Sequence, residues 1–346
     1  MASSRKSSTH KAVQLLHGFN ADPLKACSLV EKVTPVPGKD EVLIHMLCRP
    51  VHPADVLSVQ GHYPNFIPKK FPITIGIEGV GKISEVGENV TNVKVGQRVY
   101  PLLSKTAETD QGSWQEYVVA PALGVIPVPD SVSDESASQF FGNPWTVYSM
   151  IQILQVPKGE YVIQSAAASV LGRMFIQLAK HKGIKTINLV RRDSQIEELK
   201  AIGADEVINY TKEDVVDRVK QLTGGKLAYA GIDCVCGDMT QLVASSVRTL
   251  GEVLLFGFLE STVLKMDCTD LVIRNIRLQG YNLPTWMQTL SPTEMQEVAQ
   301  IIMGLIEKKI MHPLSGEKFP LSKFNQAIAK SQEDARGGKV LLVNDE

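Results

Sequence analysis

From Lys11 to about Pro129 the apolar residues come in short runs broken by Gly and Pro: AVQLLHGF, EVLIHMLC, GVGKISEVG, QRVYPLL and WQEYVVAP. Runs of that length between turn residues predict strands, and so a largely β first part. The texture changes near residue 140. YVIQSA (161–166) predicts a strand, and SVLGRMFIQLAKHKG (169–183) a helix closed by Gly183. KTINLVR follows as a strand and SQIEELKAIGA as a helix opening on a Ser cap. DEVINY, EDVVDRVKQLTGG, GIDCVCG, GEVLLFGF and NIRLQGY continue the alternation, and STVLKMD reads as a further strand near the last of these. Strands separated by helices of this length mean a parallel sheet with right-handed crossovers. The tail mixes elements: helices near 292–308 and 321–331, then a final strand, GKVLLV. There is no internal repeat and no low-complexity segment.

Composition narrows the class. A chain of 346 residues is long for a single core, so two domains are expected. Hydrophobic residues make up 44% and charged ones 21%, as in an ordinary soluble globular protein. The net charge of −1 gives no basic field for nucleic acid or an anionic membrane, and no apolar run reaches the ~18 residues of a membrane span. The cysteines, Cys27, Cys48, Cys234, Cys236 and Cys268, are scattered and odd in number, which fits reduced thiols in an intracellular protein. Cys234 and Cys236 form C-x-C within a strand-like run, where buried packing is the expectation. The start, MASSRKSSTHKAVQLL, is basic and Ser-rich with no acid before Asp22. It reads as a short mitochondrial leader or as a solvated end, so the compartment is mitochondrial or cytoplasmic.

The first strand–turn–helix of the α/β part is where a dinucleotide would bind, with backbone N–H groups and a helix N-terminus facing a pyrophosphate. The turn reads SAAASVLG, Ser165 to Gly172. Only Gly172 survives from the glycine fingerprint, yet Ala and Ser still permit close backbone approach. An ordinary tight connection would explain the turn alone; its place at the start of the alternation favours a cofactor. An acid about 20 residues further on would select NAD. Here stands NLVRRDS, with Arg191 and Arg192 ahead of Asp193. Paired guanidiniums suit a 2′-phosphate, and NADPH is expected over NADH.

A β-rich domain, a nucleotide domain and a short return to the first resemble the medium-chain dehydrogenase/reductase superfamily over essentially the whole chain. GIEGVGKISEVGENVTNVKVGQRV (76–99), LKAIGADEVINY (199–210) and GGKVLLV carry the resemblance. It implies an α/β fold: a Rossmann-type doubly wound parallel sheet over 143–284, and a GroES-like catalytic domain over 1–142 completed by 285–346. Zinc members carry Cys where this chain has His52, and Gly-His-Glu where it has Gly76-Ile77-Glu78; residues 96–130 hold no Cys for a structural zinc lobe. No metal is expected. Within the zinc-free members, HPADVLSVQGHYP (52–64), GNPWTVYSMI (142–151), VIQSAAASVLGRMFIQLA (162–179) and GYNLPTWMQTLSP (280–292) resemble the mitochondrial 2-enoyl thioester reductases. His52 departs from the usual Asn, and Val170 and Leu171 from the glycine turn.

That resemblance implies NADPH-dependent reduction of trans-2-enoyl thioesters, on CoA or acyl carrier protein, in mitochondrial fatty acid synthesis. It places the catalytic tyrosine on Tyr63. It places cofactor contacts on Asn143, on Ala168, Ser169, Val170 and Leu171 of the turn, and on Arg191, Arg192 and Asp193. Further contacts fall on Phe256, Gly257, Phe258 and Leu259, on Tyr281, Asn282, Leu283 and Pro284, and on Lys339. Trp286 either lines an acyl pocket or belongs to the core. A homodimer joined through STVLKMD and NIRLQGY is expected. A protonated phenol can donate to an enolate oxygen or protonate the α-carbon without a metal. Without the resemblance, Tyr63 would read as a half-buried loop aromatic. A quinone or alkenal reductase uses the same cofactor site and stays open, as does a non-catalytic NADPH-binding protein.

Overall fold

The computed structural model describes residues 8–64, 66–103, 106–334 and 337–345, so the basic start over residues 1–7 lies outside the described residues. The chain forms two compact units, one of Met1–Phe141 with Pro313–Glu346 and one of Gly142–His312. The second unit runs on past residue 284 because the helix Pro292–Glu307, capped by Ser291, packs on the helix Gly142–Leu154 of that same unit.

In the first unit Thr9–Leu15 lies between Cys27–Val33 and Ile73–Thr74 in a three-stranded sheet. A second sheet runs in the order Ser315–Pro320, Lys339–Val343, Glu41–Pro50, Val80–Val86, Arg98–Pro101, Val125–Pro127, with Tyr117–Pro121 also on Glu41–Pro50. The C-terminal strand returns because its apolar KVLLV run pairs antiparallel with Glu41–Pro50, Leu341 opposite Pro50 and Val343 opposite Cys48. Glu41–Pro50 is buried almost without alternation, since strands pair along both of its edges. One core of this unit gathers Val13, Leu15, Val51, Val59, Phe66 and Trp114 with Phe324 and Ile328 from the tail.

The second unit is a six-stranded parallel sheet. Its spatial order is Glu206–Asn209, Lys185–Val190, Tyr161–Gln164, Ala228–Asp233, Val247–Leu255, Arg277–Gly280, which is the doubly wound order. The direction of winding reverses between Tyr161–Gln164 and Ala228–Asp233, and ligands of such sheets bind beyond the carboxyl ends at that point. The Rossmann-type expectation holds, as does the β-rich partner unit.

Three local expectations change. STVLKMD is not a strand: Ser261 Oγ closes a tight turn onto Val263, and the segment keeps one isolated bridge, Leu264 to Gly237. The helix Ser194–Ala201 has Asp193, not Ser194, at its cap position, in helical backbone and without a side-chain cap bond. Asp193 is drawn off instead by Asn209 Nδ2 at 2.6 Å and by Lys212. Cys234 and Cys236 lie past the end of their strand, both buried, with Cys236 in left-handed backbone at φ 66°.

Candidate functional site

Tyr63 is placed by the helix Pro53–Gln60. Pro53 suits the first helical position, and Asp55 Oδ2 accepts from the His52 N–H at 2.7 Å, anchoring the start. Gly61 ends the helix in left-handed backbone at φ 76°. A Cβ there would lie 2.8 Å from Phe19 Cγ, so only Gly fits. The chain then turns so that Phe66 N–H reaches Tyr63 O at 3.0 Å, and the Tyr63 ring packs half-buried against the core that holds Val56, Val59 and Phe66. The phenol therefore follows three residues after the helix end, on a ring packed against the core.

At the other end of that helix, around its cap residue His52, lies a buried polar chain. Lys339 Nζ bonds His52 Nδ1 at 3.1 Å, and His52 Nε2 bonds Glu78. An ammonium can only donate, so Nδ1 accepts and the ring proton sits on Nε2, facing the carboxylate. Glu78 also accepts from Tyr100 O–H at 3.1 Å and Phe141 N–H at 3.0 Å. Burial, then the neighbouring Glu78, pushes the Tyr100 phenol well above its ordinary pKa. Burial raises the Asp55 carboxyl to about 7, with Glu78 adding to the effect. The residues present do not fit a zinc ion. The one imidazole at the position of interest is engaged on both nitrogens, and among the described residues no group of His, Cys, Asp and Glu could hold a metal.

In the second unit the turn Ser165–Gly172 fits a pyrophosphate. Ser169 caps the helix Val170–Lys182 by accepting from Gly172 N–H at 3.0 Å. The amides of Ala168, Val170 and Leu171 have no acceptor among the described residues, which is the donor set a helix N-terminus offers an anion. The surviving glycine is needed for packing: a Cβ on Gly172 would lie 2.5 Å from Ala167 O. Arg191 and Arg192 are both exposed at the end of Lys185–Val190. The half-buried Tyr210 phenol, which the sequence reading passed over, lies close enough to Arg191 to feel its charge.

The other expected contacts divide. Phe256, Gly257, Phe258 and Leu259 follow the strand Val247–Leu255, with Phe258 and Leu259 exposed. Tyr281 O–H is paired with Ser149, and burial lifts its pKa to about 12. Asn282 caps the short helix Leu283–Met287 through Thr285 N–H at 3.2 Å, Leu283 is buried and Pro284 exposed. Asn143 lies half-buried in the first turn of Gly142–Leu154, and Trp286 is half-buried. Lys339 belongs to the first unit, as does Tyr63, and is buried there on His52. The His52–Glu78–Lys339 chain escaped the sequence reading because its members lie up to 287 positions apart.

Comparison with known proteins gives two family models, an alcohol dehydrogenase GroES-like domain over residues 38–130 and a zinc-binding dehydrogenase over 170–303. A mitochondrial enoyl-[acyl-carrier-protein] reductase of Dictyostelium discoideum is 31% identical over 98% of this chain and 96% of its own length. Among solved structures, the quinone oxidoreductase of Pseudomonas syringae superposes with a TM-score of 0.84 at 26% identity, over 96% of this chain and 99% of that one. The Escherichia coli quinone oxidoreductase complexed with NADPH shares the fold at a TM-score of 0.84 and 24% identity, over 97% and 100% of the two chains.

Proposed function

This chain belongs to the zinc-independent medium-chain dehydrogenase/reductases, and from that premise we propose that it reduces trans-2-enoyl thioesters to saturated acyl thioesters with NADPH. The acyl group rides on CoA or acyl carrier protein, and the setting is mitochondrial fatty acid synthesis. The observation that carries the reading is the likeness to an enoyl-[acyl-carrier-protein] reductase along nearly the whole of both chains, at 31% identity. The residues support NADPH: open turn amides at Ala168, Val170 and Leu171 for the pyrophosphate, and Arg191 with Arg192 for the 2′-phosphate.

When bound, NADPH supplies the hydride that the β-carbon receives. Charge then builds on the thioester oxygen, and the α-carbon needs a proton. Tyr63 answers that need as a neutral hydrogen-bond donor whose ring is already fixed by packing, so little reorganisation is left for the reacting moment. The His52–Glu78–Lys339 chain holds the opposite end of the Tyr63 helix, where His52 is the cap residue.

NADPH oxidation with 2-enoyl-CoAs of graded length, set against small quinones, tests the proposal. Saturable turnover of crotonyl-CoA or a longer homologue with the higher kcat/KM is the expected result. The solved quinone oxidoreductases of the same fold favour the rival reading. A quinone turned over with a higher kcat/KM than every enoyl thioester would establish it.

A further inference from the structure

We propose that Asp233 is a positioning residue for the cofactor, whose buried carboxyl group ties the turn Ser165–Gly172 to the loop 234–237 and the helix Asp238–Ser245 beyond the carboxyl end of the parallel sheet. Asp233 ends the strand Ala228–Asp233 and is fully buried, as are Ser165 and Thr240 nearby. Its partners are all neutral donors. Oδ1 accepts from Ser165 O–H at 2.6 Å and Val235 N–H at 2.9 Å; Oδ2 accepts from Thr240 O–H at 2.7 Å and Cys236 N–H at 3.2 Å. Four donors from separate segments on one buried carboxyl group hold it, and each other, in a single arrangement.

An aspartate that merely closed its own turn would need only the Val235 and Cys236 amides. The bond to Ser165 crosses 68 positions and spans the point where the winding of the sheet reverses, between Tyr161–Gln164 and Ala228–Asp233. Ser165 opens the phosphate turn, and its hydroxyl oxygen also accepts from Cys234 N–H at 3.1 Å. From there the loop 256–260 is attached: Phe256 N–H donates to Asp233 O at 3.0 Å, Leu259 N–H to Cys234 O at 2.9 Å, and Glu260 N–H to Val235 O at 3.0 Å. Two non-glycine residues beside this hub sit in left-handed backbone, Ala166 at φ 46° and Cys236 at φ 66°. Such conformations persist only where the surroundings over-determine them, and the four donors on Asp233 supply that constraint. The Asp233 side chain thus joins the turn Ser165–Gly172 to the loop 234–237, and the loop 256–260 is held to that second loop by backbone bonds.

This inference rests on reading those loops as the cofactor's, and the experiment separates the two. NADPH affinity is measured directly by nucleotide fluorescence titration for Ser165→Ala, Thr240→Val and Thr240→Ser, with thermal stability alongside. The first two each remove one donor and should weaken NADPH about tenfold, the loss expected from one broken buried hydrogen bond. Thr240→Ser keeps the hydroxyl and should restore near wild-type affinity. In turnover the KM for NADPH should rise while kcat at saturating NADPH stays within about twofold, as for lost uniform binding. Val170→Glu places a carboxylate at the turn itself, where it suits the helix dipole but repels phosphate. If Val170→Glu weakens NADPH and the two donor deletions lower only the melting temperature, Asp233 is a stability residue and the inference is overturned. If Val170→Glu and the donor deletions all leave affinity unchanged, the loop assignment falls and takes the inference with it.

Discussion

The proposed reaction places its single-residue tests on Tyr63 and on the paired Arg191 and Arg192. Tyr63→Phe keeps the ring and its packing against Val56, Val59 and Phe66, so melting temperature and NADPH affinity should hold. The lost donor should lower kcat on 2-enoyl-CoA by ~10²–10³, the usual effect of removing one preorganised hydrogen bond to a developing oxyanion. Turnover near the wild-type rate would show that the loop is structural and that another group supplies the proton. For the arginines, wild type should prefer NADPH to NADH. Replacing both with Ala should weaken NADPH by ~1.5–3 kcal/mol per lost charge-assisted contact, with NADH little changed. Equal binding of the two nucleotides by the wild type would refute the assignment. Tyr210 lies close enough to Arg191 to feel its charge, so Tyr210→Phe is the matching control.

At the scale of elements, the helix that carries Tyr63 is anchored by a carboxyl group that titrates in an accessible range. Asp55 is raised from 3.8 to about 7 by burial. The folded chain therefore binds this proton more tightly than the unfolded one between about pH 4 and pH 7. Stability contributed by the neutral form is full at low pH and is lost as pH rises through that window. Asp55→Asn still offers an oxygen to the His52 N–H and carries no charge. It should melt above the wild type at pH 8, by ~2–4 °C per kcal/mol gained, with the difference shrinking toward pH 4. Parallel pH profiles for the two proteins would exclude Asp55 as the titrating group. The turn Ser165–Gly172 has its own test. Gly172→Ala drives a Cβ to 2.5 Å from Ala167 O, a backbone atom that cannot swing aside. The helix Val170–Lys182 must back away from its strand, so calorimetry should show a loss of ~1–3 kcal/mol, as for an overpacked core. An unchanged melting temperature would mean the turn is softer than the contact implies.

For the whole molecule, the open question is what covers the end of the parallel sheet. Arg277–Gly280 is its last strand, paired on one side with Val247–Leu255. Leu250, whose N–H bonds Arg274 O just before that strand, and Val272 and Ile273 are all more than 60% exposed. Among the described residues no strand pairs along the other edge of Arg277–Gly280; such an edge invites pairing, and a two-fold dimer would close it. Light scattering at micromolar concentration should give twice the chain mass, and Val272→Asp with Ile273→Asp should shift it toward one chain. A wild type that is monomeric at that concentration would rule the dimer out.

What the sequence determined by itself is the part governed by local periodicity. Short apolar runs between Gly and Pro gave the strands of the first unit, and alternating strand and helix patterns gave the parallel sheet, because each depends on neighbours a few residues away. Gly183, which closes the helix Val170–Lys182 in left-handed backbone, was legible for the same reason. STVLKMD misled because an apolar run says nothing about whether a ladder partner lies alongside. Ser194 misled because Asp193 beside it is claimed by Asn209 and Lys212 from the next strand and loop. Only the tertiary structure decided that His52, Glu78 and Lys339 form one buried chain, and that Asp233 holds Ser165 and Thr240. Such groups are brought together by the folding of distant segments, and it is the water excluded there that makes each bond between them count.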